Sequence, residues 1–431
     1  LKFLNGNNKN FLSKLSILEK HRKKLQVNKS TVVKKIIADV KKNKNKSIKK
    51  FEKKFSKLKN LNIKNIKFTD KEISIIIKKL DNKTKKSIDL AYKRIFNFHK
   101  NQKFVKFKYK DKYKNQFAYY SSAIEKVGIY VPGGKAAYPS SVLMNCIPAI
   151  IAGVKEIYMT TPAINKKINP AVIYAAKKCK VKEIYKVGGA HAIAAFAYGT
   201  ETIKKVNKIV GPGNIYVSSA KKEVFGDVGI DMIAGPSEVT VVADKFSNPD
   251  WVAADLLAQA EHDFYAQVIL ISKDIDLIKN VNKSLKKQIE ELPKKKIIIK
   301  SLKNFGYSIY VKKNKTIANI INEIAPEHLE LNLKDRHKIL KKVINASSIF
   351  LGKYSPEAIG DYLAGPNHVL PTSGSAKFSS GLSVYDFLKR HSLINISKTG
   401  IERLGSSVIN LAEYENLNAH ANSIKIRLKK D

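Results

Sequence analysis

The stretch "VGIYVPGG" at residues 127–134 opens a pattern that recurs three more times before residue 226. A short apolar and aromatic run reaches a Pro-Gly-Gly turn, and "PSSVLMNCIPAIIAGV" (139–154) follows with helical length and a leading proline. "EIYMTTP" (156–162) leads in the same way into "NPAVIYAAKKC" (169–179), and "EIYKVGGA" (183–190) into "HAIAAFAYG" (191–199). "KIVGPGN" (208–214) leads into "IYVSSAKKEVFG" (215–226). Short apolar strands alternating with helices of this length require a parallel sheet, because parallel neighbours can be joined only by a long crossover. A second round comprises "PSEVTVVAD" (236–244), a helix near 249–262 and "AQVILIS" (266–272). It continues through a lysine-rich helix to "SIYVKKN" (308–314) and "TIANIINEIA" (316–325). The fold class is α/β, built on two parallel, doubly wound sheets.

Outside this pattern, residues 1–110 show helical periodicity with polar faces, as in "TDKEISIIIKKL", where Thr69 or Asp70 can cap. Residues 100–131 alternate aromatic and polar residues, a strand signature. The last 65 residues are mixed and end in a helix, a turn and another helix or strand.

At 431 residues the chain exceeds one average domain, and 44% hydrophobic residues suffice for real cores. The only cysteines, Cys146 and Cys179, form no Cys-x-x-Cys pair and lie in apolar helical stretches. That disfavours a disulfide framework, a thiolate zinc site and a cysteine nucleophile, and it fits a reducing, cytoplasmic setting. The longest apolar run, residues 141–154, is short of a membrane span and is interrupted by Asn145 and Pro148. No secretory signal is visible at the start of the sequence.

The net charge is +45, and residues 1–120 hold 37 Lys and Arg against 8 Asp and Glu. The excess is almost all lysine, mixed with Asn and Ile, as in "KKNKNKSIKK" (41–50). Phosphate and base recognition favour arginine forks and interleaved aromatics. The excess therefore reads as solvated helix surface, and nucleic-acid binding stands as the alternative.

Several residues could carry chemistry. The glycine turns Gly133-Gly134, Gly188-Gly189 and Gly211-Pro212-Gly213-Asn214 sit at strand ends, where backbone N–H groups can approach a phosphate. None completes the G-x-G-x-x-G fingerprint, since Tyr216 occupies its last position. In "DLLAQAEHDF", Gln259 and His262 stand three apart in a helical stretch and share a face. In "IAPEHLELNL" (324–333), Pro326 at a helix N1 position would put Glu327 and His328 in a first turn. A near-neutral imidazole beside a carboxylate suits two successive proton abstractions. The glycine-broken segment 354–390 carries Asp361 and His368, and "EYENLNAHANS" carries Glu415 and His420. Gln259, His262, Asp361 and one distant histidine form an oxygen and nitrogen set suited to Zn²⁺.

Eight strings together resemble the histidinol dehydrogenase family from about residue 120 onward. They are "VGIYVPGGKAAYPSSVLMN", "GPGNIYV", "IAGPSEV", "LLAQAEHD", "APEHLEL", "GDYLAGPNHVLPT", "SGLSVYDFLKR" and "AEYENLNAHA". The resemblance implies NAD-dependent oxidation of L-histidinol to L-histidine through L-histidinal in the cytoplasm, by two hydride transfers. It implies one zinc per subunit on Gln259, His262, Asp361 and His420, with the metal orienting the substrate. His328 would be the base for alcohol oxidation, and Glu327 would activate water for the aldehyde. Ser237, His368 and Glu415 would contact substrate together with Gln259, His262, His328, Asp361 and His420. Tyr130, His191 and Asn214 would contact NAD.

The resemblance also implies two incomplete Rossmann-like domains, residues 121–235 on the NAD side and 236–365 with the zinc and catalytic residues. A helical region over 1–120 would pack on this core. A tail over 366–431 would be exchanged in a homodimer, so that Glu415 and His420 act in the partner's site. Two positions depart from the family pattern. His191 stands where Gln is common, and Ile233 where Pro is usual. A homologue without catalysis is the remaining alternative.

Overall fold

Both rounds of the pattern form parallel sheets in the computed structural model, which describes residues 1–24, 30–56, 62–104, 106–133, 138–163, 168–233 and 235–429. The first sheet has five strands in the order Glu183–Tyr185, Glu156–Thr160, Lys126–Tyr130, Lys208–Val210, Gly229–Ile230, all parallel. Alternate residues serve opposite faces. Val127, Ile129, Ile157 and Met159 join one core with helix Pro139–Ala152. Tyr130, Tyr158 and Tyr185 join another with helix Gly189–Tyr198. Both faces are buried, which is why these strands read as continuous apolar runs. Helix Asn82–His99 covers the first core through Ile88 and Ile95. Helix Ser30–Phe55 covers the second through Val33, Ile37, Val40, Ile48 and Phe51.

The second sheet runs Lys2–Asn5, Gly306–Tyr310, Gln267–Ser272, Glu238–Ala243, His328–Asn332, Ser348–Leu351, again parallel throughout. Its edge strand Lys2–Asn5 corrects the helical reading of the first residues. Four residues are too few to show a period, and the open edge of Gly306–Tyr310 recruits their backbone. Apart from that edge, each sheet grows outward from its first strand in one direction and then reverses. The reversals fall between Lys126–Tyr130 and Lys208–Val210, and between Glu238–Ala243 and His328–Asn332. Such switch points open crevices at strand ends.

The alternating residues before 131 form strands Phe107–Lys110 and Gln116–Ala123, joined antiparallel by Leu388–Asn395 from the C-terminal region. The chain ends in two helices packed on each other, Lys398–Tyr414 and Asn418–Leu428.

A second correction concerns Glu327 and His328. Helix Asn314–Ile324 ends with Ala325 in the left-handed conformation, so Pro326 begins no helix. The chain turns straight into strand His328–Asn332, whose five residues are all buried. Both cysteines are free and buried. Among the described residues, no helix is long and apolar enough to cross a membrane.

Gly128 lets Phe196 of helix Gly189–Tyr198 press onto the strand, since a Cβ there would lie 2.7 Å from Phe196 Cδ2. Gly128→Ala is expected to lower unfolding stability by about 1–3 kcal/mol in denaturant titration. Adding Phe196→Leu is expected to recover part of that loss, and strictly additive losses would contradict the clash.

Candidate active site

Three segments converge at the amino ends of the central strands of the second sheet. Helix Pro249–Ala260 starts under an Asn248 cap, whose side chain accepts from Asp250 and Trp251 N–H, with proline in its first turn. It returns antiparallel to the strands, so its last turn delivers Gln259, and His262 follows immediately. Strands Glu238–Ala243 and His328–Asn332 begin beside it, placing Ser237, Glu238, Glu327 and His328 at this end. After strand Ser348–Leu351, helix Glu357–Tyr362 brings Glu357 and Asp361 one turn apart.

The Gln259 side chain is fully buried. It meets an acceptor with its amide nitrogen toward Glu357, donating to Oε1 at 2.8 Å and Oε2 at 3.1 Å, which turns its oxygen to the opposite side. Ligating atoms of His262, Glu357 and Asp361 lie within 4.8 Å of one another. His368 Nδ1 sits 2.9 Å from the Asp361 carbonyl and 3.7 Å from its carboxylate. Burial lifts the Asp361 carboxyl to about 6 and lowers His368 to about 4.

His328 is buried, with Nδ1 3.2 Å from the Glu238 carbonyl, 3.4 Å from Glu357 Oε1 and 3.3 Å from the Gln259 amide nitrogen. The Glu238 carbonyl can only accept, so the tautomer that satisfies it carries the ring proton on Nδ1 and leaves Nε2 as the basic nitrogen. Burial lowers its pKa to about 3, with the Glu238 carbonyl opposing, so the ring is neutral at physiological pH. Glu327 Oε2 accepts the Glu238 N–H at 3.0 Å and lies 3.9 Å from His328 Nδ1. The second carboxylate oxygen network is deeper. Glu238 accepts from Ser373 N–H at 2.9 Å, and Glu330 accepts from Glu357 N–H at 2.7 Å.

The first sheet contributes its carboxyl ends. Gly211 has φ +111, and a Cβ there would lie 2.2 Å from the Tyr130 carbonyl oxygen, so only glycine fits. Its N–H donates to Asp231 at 2.8 Å, its carbonyl accepts from Lys221 at 3.0 Å, and Lys221 pairs with Asp231. Asn214 is exposed and caps helix Ile215–Val224, its side chain accepting from Tyr216 and Val217 N–H. The Tyr130 hydroxyl accepts from Gly189 N–H at 3.1 Å, and burial raises its pKa to about 12. His191 is buried on the same turn. Gly133 precedes residues 134–137, and Gly134 lies outside the described residues. Tyr138, just before helix Pro139–Ala152, faces Asp263 electrostatically and in turn influences Tyr362. The carboxyl end of one sheet thus abuts the amino end of the other.

The structure therefore gathers Gln259, His262, Glu327, His328, Asp361 and His368, with half-buried Ser237 at the neighbouring strand's start. Glu415 and His420 are exposed on the C-terminal helices, and His420 is not part of the described cluster of metal-capable groups. Glu357, Glu330 and Asp255 escaped the reading of the sequence. Spacing held the clue for two of them, since Glu357 stands four before Asp361 in a helix and Glu330 two after His328 in a strand.

A family model described as histidinol dehydrogenase matches residues 19–428. The chain is 56% identical to a histidinol dehydrogenase of Pelagibacter ubique (strain HTCC1062) over 432 residues, covering 100% of each. It is 49% identical over 348 residues, 81% of each chain, to that of Nitrosomonas europaea. The crystal structure of histidinol dehydrogenase from Elizabethkingia anophelis superposes with a TM-score of 0.89 at 38% identity, covering 93% of this chain and 92% of that one.

Half-buried Asp255 pairs with buried Glu330, and burial raises Asp255 to about 6. A carboxyl whose folded pKa is raised costs stability once ionised. The penalty is absent below the unfolded value near 4, grows as pH rises, and is complete above about 6. Asp255→Asn is expected to stabilise the protein by about 1–2 kcal/mol above pH 6 and to have no effect below pH 4. Denaturant titrations across that range test this, and a gain confined to low pH would contradict it.

Proposed function

The chain belongs to the histidinol dehydrogenase family, whose members carry out the final NAD-dependent step of histidine biosynthesis, and on that premise we propose how its residues divide the work. The supporting observation is the juxtaposition of a neutral His328, a buried Glu327 and a metal-capable set at one strand end, opposite the glycine turns of the other sheet.

L-Histidinol must lose a hydroxyl proton as a hydride leaves the same carbon. His328 Nε2 is suited to take that proton, because Nδ1 is committed to the Glu238 carbonyl and burial keeps the ring neutral. The aldehyde must then gain water before a second hydride can leave. Glu327, held by the Glu238 N–H, is the adjacent carboxylate that can draw a proton from that water. NAD⁺ supplies the hydride acceptor in both steps. Two NAD⁺ and one water are consumed per histidinol, and one carboxylate, two NADH and three protons result. Tyr130, His191 and Asn214 stand at the carboxyl ends of the first sheet, on the side we assign to NAD.

The metal-capable groups fit zinc: the His262 imidazole and the Glu357 and Asp361 carboxyl groups, with no sulfur, and Gln259, whose side chain meets Glu357, is assigned to the metal with His262 and Asp361. Zinc would supply charge that fixes the substrate's imidazole and amino nitrogens in place. Glu357 presents its carboxylate to the Gln259 amide nitrogen, and so keeps the amide oxygen available to a ligand. Ser237 and His368 line the same end and are assigned to substrate.

His420 completes the zinc set, and Glu415 the substrate contacts, from the tail of a second copy. The tail carries exposed apolar residues suited to a homodimer, namely Leu404, Val408, Leu411, Tyr414 and Leu417. The overall reading is a cytoplasmic enzyme of residues 121–235 and 236–365 as paired α/β units, with 1–120 as a covering region and 366–431 as the exchanged tail.

In single-turnover assays, His328→Ala is expected to lose alcohol oxidation by at least about a hundredfold. Glu327→Gln is expected to retain that step and fail with L-histidinal as substrate; equal losses in both steps would contradict the division. For the shared site, His328→Ala and His420→Ala are each expected to be inactive. Co-refolded in equal amounts, they are expected to regain about a quarter of wild-type activity, because half of the dimers would carry one intact site. No recovery would place His420 in its own subunit's site.

A further inference from the structure

Glu52 lies in helix Ser30–Phe55 of the lysine-rich region, yet its side chain is fully buried. Its Oε1 accepts the Gly188 N–H at 3.0 Å and sits 2.8 Å from His191 Nε2. The rings of Phe51 and Phe55 lie 5.6 and 6.0 Å from that of His191 and wall the pair on the helix side. A carboxylate taken this far from water is tolerated only when its charge meets donors. Here the donors, the Gly188 N–H before helix Gly189–Tyr198 and the imidazole, both meet Oε1, while Oε2 has no partner among the described residues.

The carboxylate fixes the imidazole proton on Nε2, since the bond made by one ring nitrogen decides the state of the other. His191 Nδ1 is then an acceptor. It is buried and has no hydrogen-bond partner among the described residues. It points at the Gly189 corner, where a Cβ would lie 3.5 Å from it, and where the Gly189 N–H meets the Tyr130 hydroxyl. A buried acceptor left unmet is costly, so a retained one calls for a partner.

We propose that Glu52 is a positioning residue for the dinucleotide: it holds the Nε2–H form of His191 so that Nδ1 accepts from a hydroxyl or amide N–H of NAD at the Gly189 corner. This rests on the reading that the turn receives NAD. It assigns a task to the N-terminal region and accounts for a histidine at a position where the family commonly has Gln. The glutamine amide carries donor and acceptor itself, whereas His191 gives its donor to Glu52 and keeps the acceptor for the cofactor.

Glu52→Gln keeps the acceptor for Gly188 but turns an NH₂ toward Nε2, which drives the ring proton to Nδ1. The KM for NAD⁺ is expected to rise about tenfold, with kcat and the KM for L-histidinol within about twofold. Nitrogen-15 NMR of His191 is expected to report an unprotonated Nδ1 in the wild type and a protonated one in the variant. A folded Glu52→Gln enzyme with unchanged KM for NAD⁺, or one whose histidinol KM moves instead, overturns the proposal. Should that variant not fold, the wild type decides: NAD⁺ must shift the His191 Nδ1 resonance, and NAD⁺ binding without a shift overturns it. Failure of the wild type to bind NAD⁺ by calorimetry instead defeats the underlying reading of the turn.

Discussion

The hydrogen bond between His328 Nδ1 and the Glu238 carbonyl is the contact on which the rest of the site depends. It crosses between the first residues of two neighbouring parallel strands, registered with His328 opposite Val239. A parallel sheet covered on both faces offers polar side chains room only at strand ends, because its middle is closed by apolar packing. His328 stands at such an end, inside the core's edge rather than in solvent. The same carbonyl therefore fixes the ring, selects its tautomer and holds its basic nitrogen free. Glu327 is tied to the N–H of that same Glu238, so the imidazole and the carboxyl group are both positioned from one residue of the adjacent strand.

The two sheets use opposite ends. Open α/β sheets usually bind ligands at the carboxyl ends of strands near a switch point, and the first sheet follows that rule with its glycine turns. The second presents its amino ends, where helix Pro249–Ala260 finishes and helix Glu357–Tyr362 begins. Segment 367–373 ties the two together: Asn367 donates to the Met144 carbonyl at 2.6 Å, and the Thr372 hydroxyl accepts from Gly235 N–H. The Gly211 turn is held by a buried ion pair rather than by a complete fingerprint. Asp231 and Lys221 grip both backbone groups of Gly211.

Much of this was legible in the sequence. Both parallel sheets followed from apolar runs ending in glycine or proline, because burial on two faces leaves that trace directly. Gln259 and His262 stand out by their helical spacing, Glu327 and His328 by following Pro326, and Asp361 by lying in a long glycine-broken segment. The expected helical turn at Glu327 was wrong because Pro326 reads alike as a helix start and as a stop after Ala325. Strand Lys2–Asn5 left no trace, being four residues long and paired to a strand 300 residues away. Glu357 and Glu330 were invisible for a different reason. A buried carboxyl looks like any surface acid until its neighbours are known, and Glu52 was hidden among lysines in the same way.

The account makes one pocket responsible for two consecutive oxidations, with His328 and Glu327 acting in turn on a substrate that stays in place. Counting products against substrate tests this most directly: purified enzyme is given L-histidinol and excess NAD⁺, and NADH, L-histidine and released L-histidinal are quantified together. The account predicts two NADH and one L-histidine per histidinol consumed, with no L-histidinal accumulating in solution. One NADH per histidinol, with the aldehyde released as the end product, would contradict it.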